Sequence, residues 1–112
     1  MGAPAAARLV IRIVAYVPDL MDRSKVAAAL AGQEVVFAAD PVELGPPADL
    51  VIVDLGRPGV LEVLPALKRA GLRTVGFVSH VDRERADAAA AAGCGEVMPR
   101  SRFFAQLATL VP

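Results

Sequence analysis

Length, composition and charge already narrow what this chain can be. Its 112 residues suffice for one domain with a hydrophobic core and are too few for two. Twelve basic residues balance twelve acidic ones, so direct binding to nucleic acid lacks its main electrostatic support. The single cysteine, Cys94, excludes an internal disulfide and a zinc site built from several cysteines.

The apolar residues near the N-terminus predict a strand and not a membrane helix. Arg12 interrupts the longest N-terminal run, Leu9 to Val17, and no other run approaches the roughly 20 residues that a membrane helix needs. Met1 to Ala7 lacks the basic segment of a signal peptide and is expected to be frayed. We therefore expect a soluble, unprocessed, cytoplasmic protein in which 1–112 is one stand-alone domain with no membrane partner.

Strand and helix signals alternate along the rest of the chain. Runs rich in Val and Ile predict five strands, over 9–17, 34–38, 50–53, 74–78 and 96–98. Helical segments lie between them: one that Asp19 or Asp22 caps and Gly32 ends, one over 59–70, one that Asp82 caps and Gly93 ends, and a last one that Ser101 caps.

Two prolines modify this pattern. After the second strand, Asp40 and Pro41 can start a helix, but the prolines at 46 and 47 end it after about one turn, which makes this crossover unusually short. Pro65 lies inside the predicted third helix, where it removes a backbone hydrogen bond. We expect a kink or a late start in that helix.

Strands that alternate with helices predict an α/β fold with a parallel sheet and right-handed crossovers. Five such strands most simply form a three-layer, doubly wound, flavodoxin-like sheet in the order 2-1-3-4-5. Because the second crossover is shortened, one face of this sheet could remain open for a partner to cover.

Polar residues follow four of the five predicted strands. Asp19 comes after the first, Asp54 ends the third, Ser79 ends the fourth and Arg100 follows the fifth. The carboxyl ends of parallel strands share one edge, where ligands bind in open α/β sheets. Asp54 is the leading candidate, because a buried apolar run over 50–53 delivers it to a Gly/Pro turn.

This arrangement resembles the receiver domain of two-component response regulators. The sequence Asp54-Leu55-Gly56-Arg57-Pro58 is similar to the family's Asp-Leu-x-x-Pro turn, and residues 92–96 resemble its approach to the fifth strand. The resemblance implies that Asp54 occupies the phosphoacceptor position, with a cation-binding acid after the first strand and Ser79 and Arg100 as ligands of the phosphoryl group. It also implies partner binding or homodimer formation through the fourth helix, fifth strand and fifth helix, where Arg102, Phe103 and Phe104 are candidate interface residues.

Three departures from the family pattern indicate an atypical or pseudo-receiver. The first strand is followed by Pro18 and Asp19 instead of two adjacent acids, so Asp19 and Asp54 would make a thin site for magnesium. Arginine stands at position 100 where the family has lysine, and its planar fork is not equivalent to a compact ammonium. The aromatic residue common in the fifth strand is Val97.

Several residues also have purely structural interpretations. Asp54 could cap the amides of its own turn or pair with Arg100, and Asp19 and Asp22 could be helix caps. Ser79 and His80 are adjacent on an extended chain and point to opposite faces, which argues against nucleophile and base; His80 is expected to be solvated. Cys94 is expected to be a small buried residue.

Three functional hypotheses follow. The first is a non-enzymatic signalling or protein-interaction module with a degenerate pocket formed by Asp19, Asp54, Ser79 and Arg100, needing no cofactor. The second is a true phosphoacceptor, in which Asp54 uses magnesium held with Asp19. The third, from another class, is a small enzyme or ligand-binding protein that uses the same crevice.

Overall fold

The computed structural model describes residues 10–112 and shows one five-stranded parallel sheet. Its order is β2-β1-β3-β4-β5, as predicted, and its strands are β1 (Arg12–Tyr16), β2 (Glu34–Phe37), β3 (Leu50–Asp54), β4 (Arg73–Val78) and β5 (Glu96–Pro99). Met1 to Ala7, predicted to be frayed, and Leu9, the predicted start of β1, lie outside the described residues.

Helices cover both faces of the sheet. They are α1 (Leu20–Ala29), α2 (Val60–Arg69), α3 (Arg83–Ala92) and α4 (Arg100–Gln106), with one-turn 3-10 helices at Pro41–Glu43 and Leu107–Leu110. The first 3-10 helix corresponds to the predicted second helix, so α3 and α4 correspond to the predicted fourth and fifth helices. No helix within 10–112 is long and apolar enough to span a membrane.

The central strand β3 divides the core in two. Leu50 and Ile52 face the side covered by α1 and α4, whereas Val51 and Val53 face the side covered by α2 and α3. All four are completely buried, and burial of such side chains contributes roughly 1.5–3 kcal/mol each. This double burial explains why the strand is a continuous apolar run, and it fixes the position of Asp54 at the end of the strand.

The second crossover is as short as predicted. Asp40 caps the 3-10 helix Pro41–Glu43 by accepting a hydrogen bond from the Val42 amide at 3.0 Å, and the chain then proceeds through residues 44–49 to β3. A single turn of 3-10 helix covers little of the sheet, and Val36 on β2 stays 37% exposed.

Two expectations about helix starts are resolved. Of the kink or late start expected around Pro65, the late start does not occur: α2 begins at Val60 and runs through Pro65, because Val60, Leu64 and Leu67 form a buried stripe that anchors the helix on the sheet. Ser101 does not cap α4, whose N-cap is Pro99 and makes no side-chain hydrogen bond. Asp19 and Asp82 cap α1 and α3 as expected.

Candidate functional site

The polar residues predicted to follow the strands do lie at one edge of the sheet. Asp54 is the last residue of β3, Ser79 comes directly after β4, Arg100 is the first residue of α4, and Asp19 is the N-cap of α1. Their placement follows from the parallel topology, since each strand ends at this edge. How their side chains pair depends on contacts that the strand pattern does not contain.

Asp54 is 7% exposed, and hydrogen bonds reach both of its oxygens. The Gly56 amide donates to Oδ1 at 3.0 Å, and the Arg57 guanidinium donates through Nε to Oδ2 at 3.2 Å. The carboxylate thus caps its own turn, one of the structural interpretations given above. Its charge partner is Arg57 and not Arg100, and the Asp-x-x-Arg spacing across a Gly/Pro turn is the sequence signal that could have shown this.

Arg100 pairs with Asp22. Its Nη2 donates to Asp22 Oδ1 at 2.8 Å, and its guanidinium lies 5.2 Å from the Phe77 ring centre and 5.4 Å from that of Phe104. This hydrogen bond, and then the charges of Asp22, Asp54 and Asp19, raise the pKa of Arg100. The expectation that the Asp22 side chain is a cap is wrong: it faces inward from the first turn of α1 and is 4% exposed.

Asp19 and Ser79 occupy the margin of the site. Asp19 is exposed and accepts a hydrogen bond from the Asp22 amide at 2.9 Å; this bond, and more weakly the charges of Arg57 and Arg100, lower the pKa of Asp19. Ser79 is exposed, and its Oγ accepts from the Val81 amide at 3.4 Å. His80 is exposed, as predicted. Within residues 10–112, no three acidic, histidine or cysteine side chains are grouped so that they could hold a metal ion.

Several solved structures that resemble this one are response regulators. The chain is similar to the phosphorylated cyanobacterial phytochrome response regulator RcpA, with a TM-score of 0.76 and 18% identity over 91% of each chain. It is similar to the chemotaxis response regulator CheY4 of Vibrio cholerae (TM-score 0.74, 19% identity, 91% of this chain and 96% of that one). The Mn(2+)-bound form of response regulator Rcp1 gives a TM-score of 0.73 at 15% identity, over 89% of this chain and 91% of that one.

The chain has the receiver fold. At this level of sequence identity the likeness concerns the fold, and the chemistry of the site has to be argued from its own residues. No protein-family model matches the sequence, and no curated protein matches it as a relative.

The three candidate interface residues differ in how deeply they are buried in the receiver fold. Phe103 is completely buried and stacks on Phe77 with ring centres 4.7 Å apart, so its prediction as an interface residue is wrong. The reason is helical phase, since Phe103 lies on the side of α4 that faces the sheet. Phe104 is half-buried and contacts both rings, and Arg102 is exposed.

A small cavity lies between α3 and β5 of the receiver fold. Its volume is about 200 Å³, and its walls include Ser79, His80, Arg83, Val97 and Met98. Val97 contributes a short, half-buried side chain to its wall. Because ligand pockets usually measure about 300–1,000 Å³, the cavity gives little support to a small-molecule site.

Cys94 is a buried structural residue in the turn before β5. Its Sγ lies 3.3 Å from the Glu96 carbonyl oxygen, and burial raises the pKa of the thiol to about 11. A thiol with such a pKa is almost fully protonated at neutral pH and is a poor nucleophile.

Proposed function

We propose that this chain is a receiver-like signalling module that acts through contact with another protein, and that its phosphorylation pocket is degenerate and non-enzymatic. The observation that carries the proposal is the internal pairing of the charges at the strand edge. Arg57 neutralises Asp54, and Asp22 engages Arg100.

This pairing opposes each step of phosphoryl transfer to Asp54. A guanidinium bound to the carboxylate lowers its nucleophilicity, and transfer depends strongly on a divalent cation that neutralises the developing charge. Magnesium needs several oxygen ligands in near-octahedral geometry, whereas here Arg57 already binds one oxygen of Asp54 and the Gly56 amide binds the other. A guanidinium supplies charge at this point but coordinates no metal.

The alternative is a working phosphoacceptor. It is favoured by the position of Asp54 at the end of β3 and by the proximity of Arg100, whose pKa responds to the Asp54 charge. Among the similar structures, RcpA is phosphorylated and Rcp1 binds Mn(2+). In this alternative Arg57 would have to leave Asp54, and Asp19 and Asp54 would hold the cation.

Phosphorylation with a small-molecule donor separates these two functions. The chain is incubated with acetyl phosphate and magnesium and its intact mass is measured, with an active receiver domain in a parallel reaction as positive control. We expect no mass increase. A single phosphoryl adduct in the wild type that Asp54→Asn abolishes would overturn the proposal and establish the alternative.

The proposed contact surface consists of α3, β5 and α4. Its exposed positions include Arg102, the accessible edge of Phe104 and the small residues Ala88 and Ala91, which permit close approach of a partner. A second copy of the chain is one candidate partner. Sedimentation over a range of concentrations tests this: Arg102→Glu should weaken self-association if the homodimer uses this surface, whereas Arg69→Glu on α2 serves as the matched control.

A further inference from the structure

An arginine from α3 binds the turn that carries Asp54. The guanidinium of Arg85 donates through Nε to the carbonyl oxygen of Leu55 at 2.7 Å and through Nη2 to that of Arg57 at 2.9 Å. The planar fork of arginine suits two carbonyl groups that are two residues apart, which a lysine ammonium could not bind in the same geometry. Arg85 belongs to the first turn of α3 and is half-buried against the β3–α2 turn.

These bonds form part of a continuous network. The Arg57 side chain binds the Asp54 carboxylate, while the Arg57 carbonyl accepts from Arg85. The Arg85 amide in turn donates to the Asp82 side chain at 3.1 Å, and the Asp82 amide donates to the Ser79 carbonyl at 3.0 Å. Hydrogen bonds therefore connect the Asp54 carboxylate with the N-terminus of α3 and the end of β4.

The two ends of the turn differ in their freedom to move. Leu55 is held by β4. Its amide donates to the Phe77 carbonyl at 2.9 Å, and its side chain lies so close to Gly76 that a Cβ added to Gly76 would be only 2.6 Å from it. Arg57 makes no hydrogen bond to β4 within residues 10–112: its amide donates to the Asp54 carbonyl of the same turn at 3.4 Å, and its side chain is 41% exposed. A rearrangement at Asp54 is thus expected to displace Arg57, and the displacement reaches Arg85 next.

We propose that Arg85 is a positioning residue that transmits a change at the Asp54 carboxylate to α3. The inference deepens the proposed function and rests on it for its biological meaning, because α3 belongs to the proposed contact surface. The change at Asp54 can be a basic side chain of the partner protein, which would compete with the Arg57 guanidinium for the carboxylate.

Amide chemical shifts of the isolated chain test this transmission. Asp54→Asn imitates the change: the amide keeps the bond from Gly56 but no longer attracts the Arg57 guanidinium. ¹H–¹⁵N spectra are recorded for Asp54→Asn in the wild-type, Arg85→Met and Arg83→Met backgrounds. Arg83 is the matched control, because it is an exposed arginine in the same helical turn that makes no hydrogen bond to the described 54–58 turn.

We expect Asp54→Asn to shift the amides of 83–92 in the wild-type and Arg83→Met backgrounds and to leave them in place in the Arg85→Met background. Arg57→Met alone should reproduce the α3 shifts of Asp54→Asn. If Arg85→Met does not fold, Arg85→Lys is used, which keeps the charge but binds only one carbonyl, and it should reduce the α3 response.

Either of two results would overturn the inference: no α3 response to Asp54→Asn in the wild type, or an equal response in the Arg85→Met background. A merely structural role of Arg85 gives the second result, since it would lower stability without changing the dependence on Asp54. Neither readout involves a phosphoryl donor or a partner, so failure here is distinct from failure of the proposed function.

Discussion

The Arg100 guanidinium and the Asp22 carboxylate are 78 residues apart in sequence and 2.8 Å apart in space. The pair joins the N-terminus of α4 to the first turn of α1 across the edge of the sheet. Its two members differ in their access to water: the Asp22 side chain is 5% exposed and that of Arg100 is 42% exposed.

This difference predicts unequal costs for removing either charge. Arg100→Met leaves a buried carboxylate without its partner and should lower the free energy of unfolding by about 2–3 kcal/mol. Asp22→Asn leaves an arginine that water can still solvate and should cost about 1 kcal/mol. Urea denaturation measures both, with Arg102→Met as the exposed control, expected within about 0.5 kcal/mol of the wild type. Equal costs for the two variants would contradict this account of the pair.

Gly76 is required by the close approach of Leu55. A Cβ at position 76 would lie 2.6 Å from two carbons of the Leu55 side chain, so Gly76→Ala should lower the free energy of unfolding by about 1–3 kcal/mol. Leu55→Ala added to Gly76→Ala makes room for the methyl group, and the double variant should cost less than the sum of the two single ones. Gly32→Ala is the control, because nothing lies within 4 Å of its added Cβ. Strict additivity in this double-mutant cycle is the result that the steric explanation does not allow.

The ionised Asp19 carboxylate should stabilise the folded chain in a pH-dependent way. Its folded pKa lies below the ordinary value of 3.8, chiefly because the Asp22 amide donates to the ionised form. The contribution is present above the unfolded pKa and is lost as the pH falls through the folded one. Asn also caps helices, so Asp19→Asn isolates the charge. The wild type should lose more stability than Asp19→Asn as the pH falls from about 5 to 2 in urea titrations. An equal loss of stability in the two proteins between about pH 5 and 2 would refute the prediction.

Cys94 should react slowly with thiol reagents in the folded protein. Raising the pKa from 9.0 to about 11 lowers the thiolate fraction at pH 8 by about a hundredfold, and burial adds a steric barrier. The higher intrinsic nucleophilicity of a high-pKa thiolate offsets part of this factor, so the rate of reaction with a disulfide reagent near pH 8 should increase by about tenfold or more when the chain is unfolded in urea. A fast reaction under native conditions would place the thiol in an accessible turn instead.

The strands could be predicted from sequence because each has a local signal, and their order because five alternating strands most simply form a flavodoxin-like sheet. The apolar run over 50–53 requires burial on both faces, and Asp19 and Asp82 mark helix starts that the structure retains. The charge pairing could not be predicted in the same way. It depends on which face of α1 carries Asp22 and on how far long arginine side chains reach, and a strand pattern contains neither quantity.

The same distinction explains the errors at α4. Helical spacing places Phe103 and Phe104 on adjacent faces but does not say which one points to the sheet. The stacking of Phe103 on Phe77 decides it, and this contact joins two elements far apart in sequence. The Asp-x-x-Arg spacing indicates the Arg57–Asp54 pair, but Arg85 has no sequence signal, because its partners are the main-chain carbonyls of Leu55 and Arg57.

The short second crossover gives the two sides of the sheet different local stability. Within residues 10–112, strand β2 pairs only with β1, two of its four residues are exposed, and the crossover that follows it contains a single turn of 3-10 helix. Such an edge is expected to open in sub-global fluctuations that leave the rest of the fold intact. The hydrogen-bond network around Asp54 instead connects β3, the end of β4 and α3, and the Arg100–Asp22 pair joins α1 and α4 at the same edge. The amide hydrogens of β2 are therefore expected to exchange with solvent while the residues at the strand ends keep their arrangement.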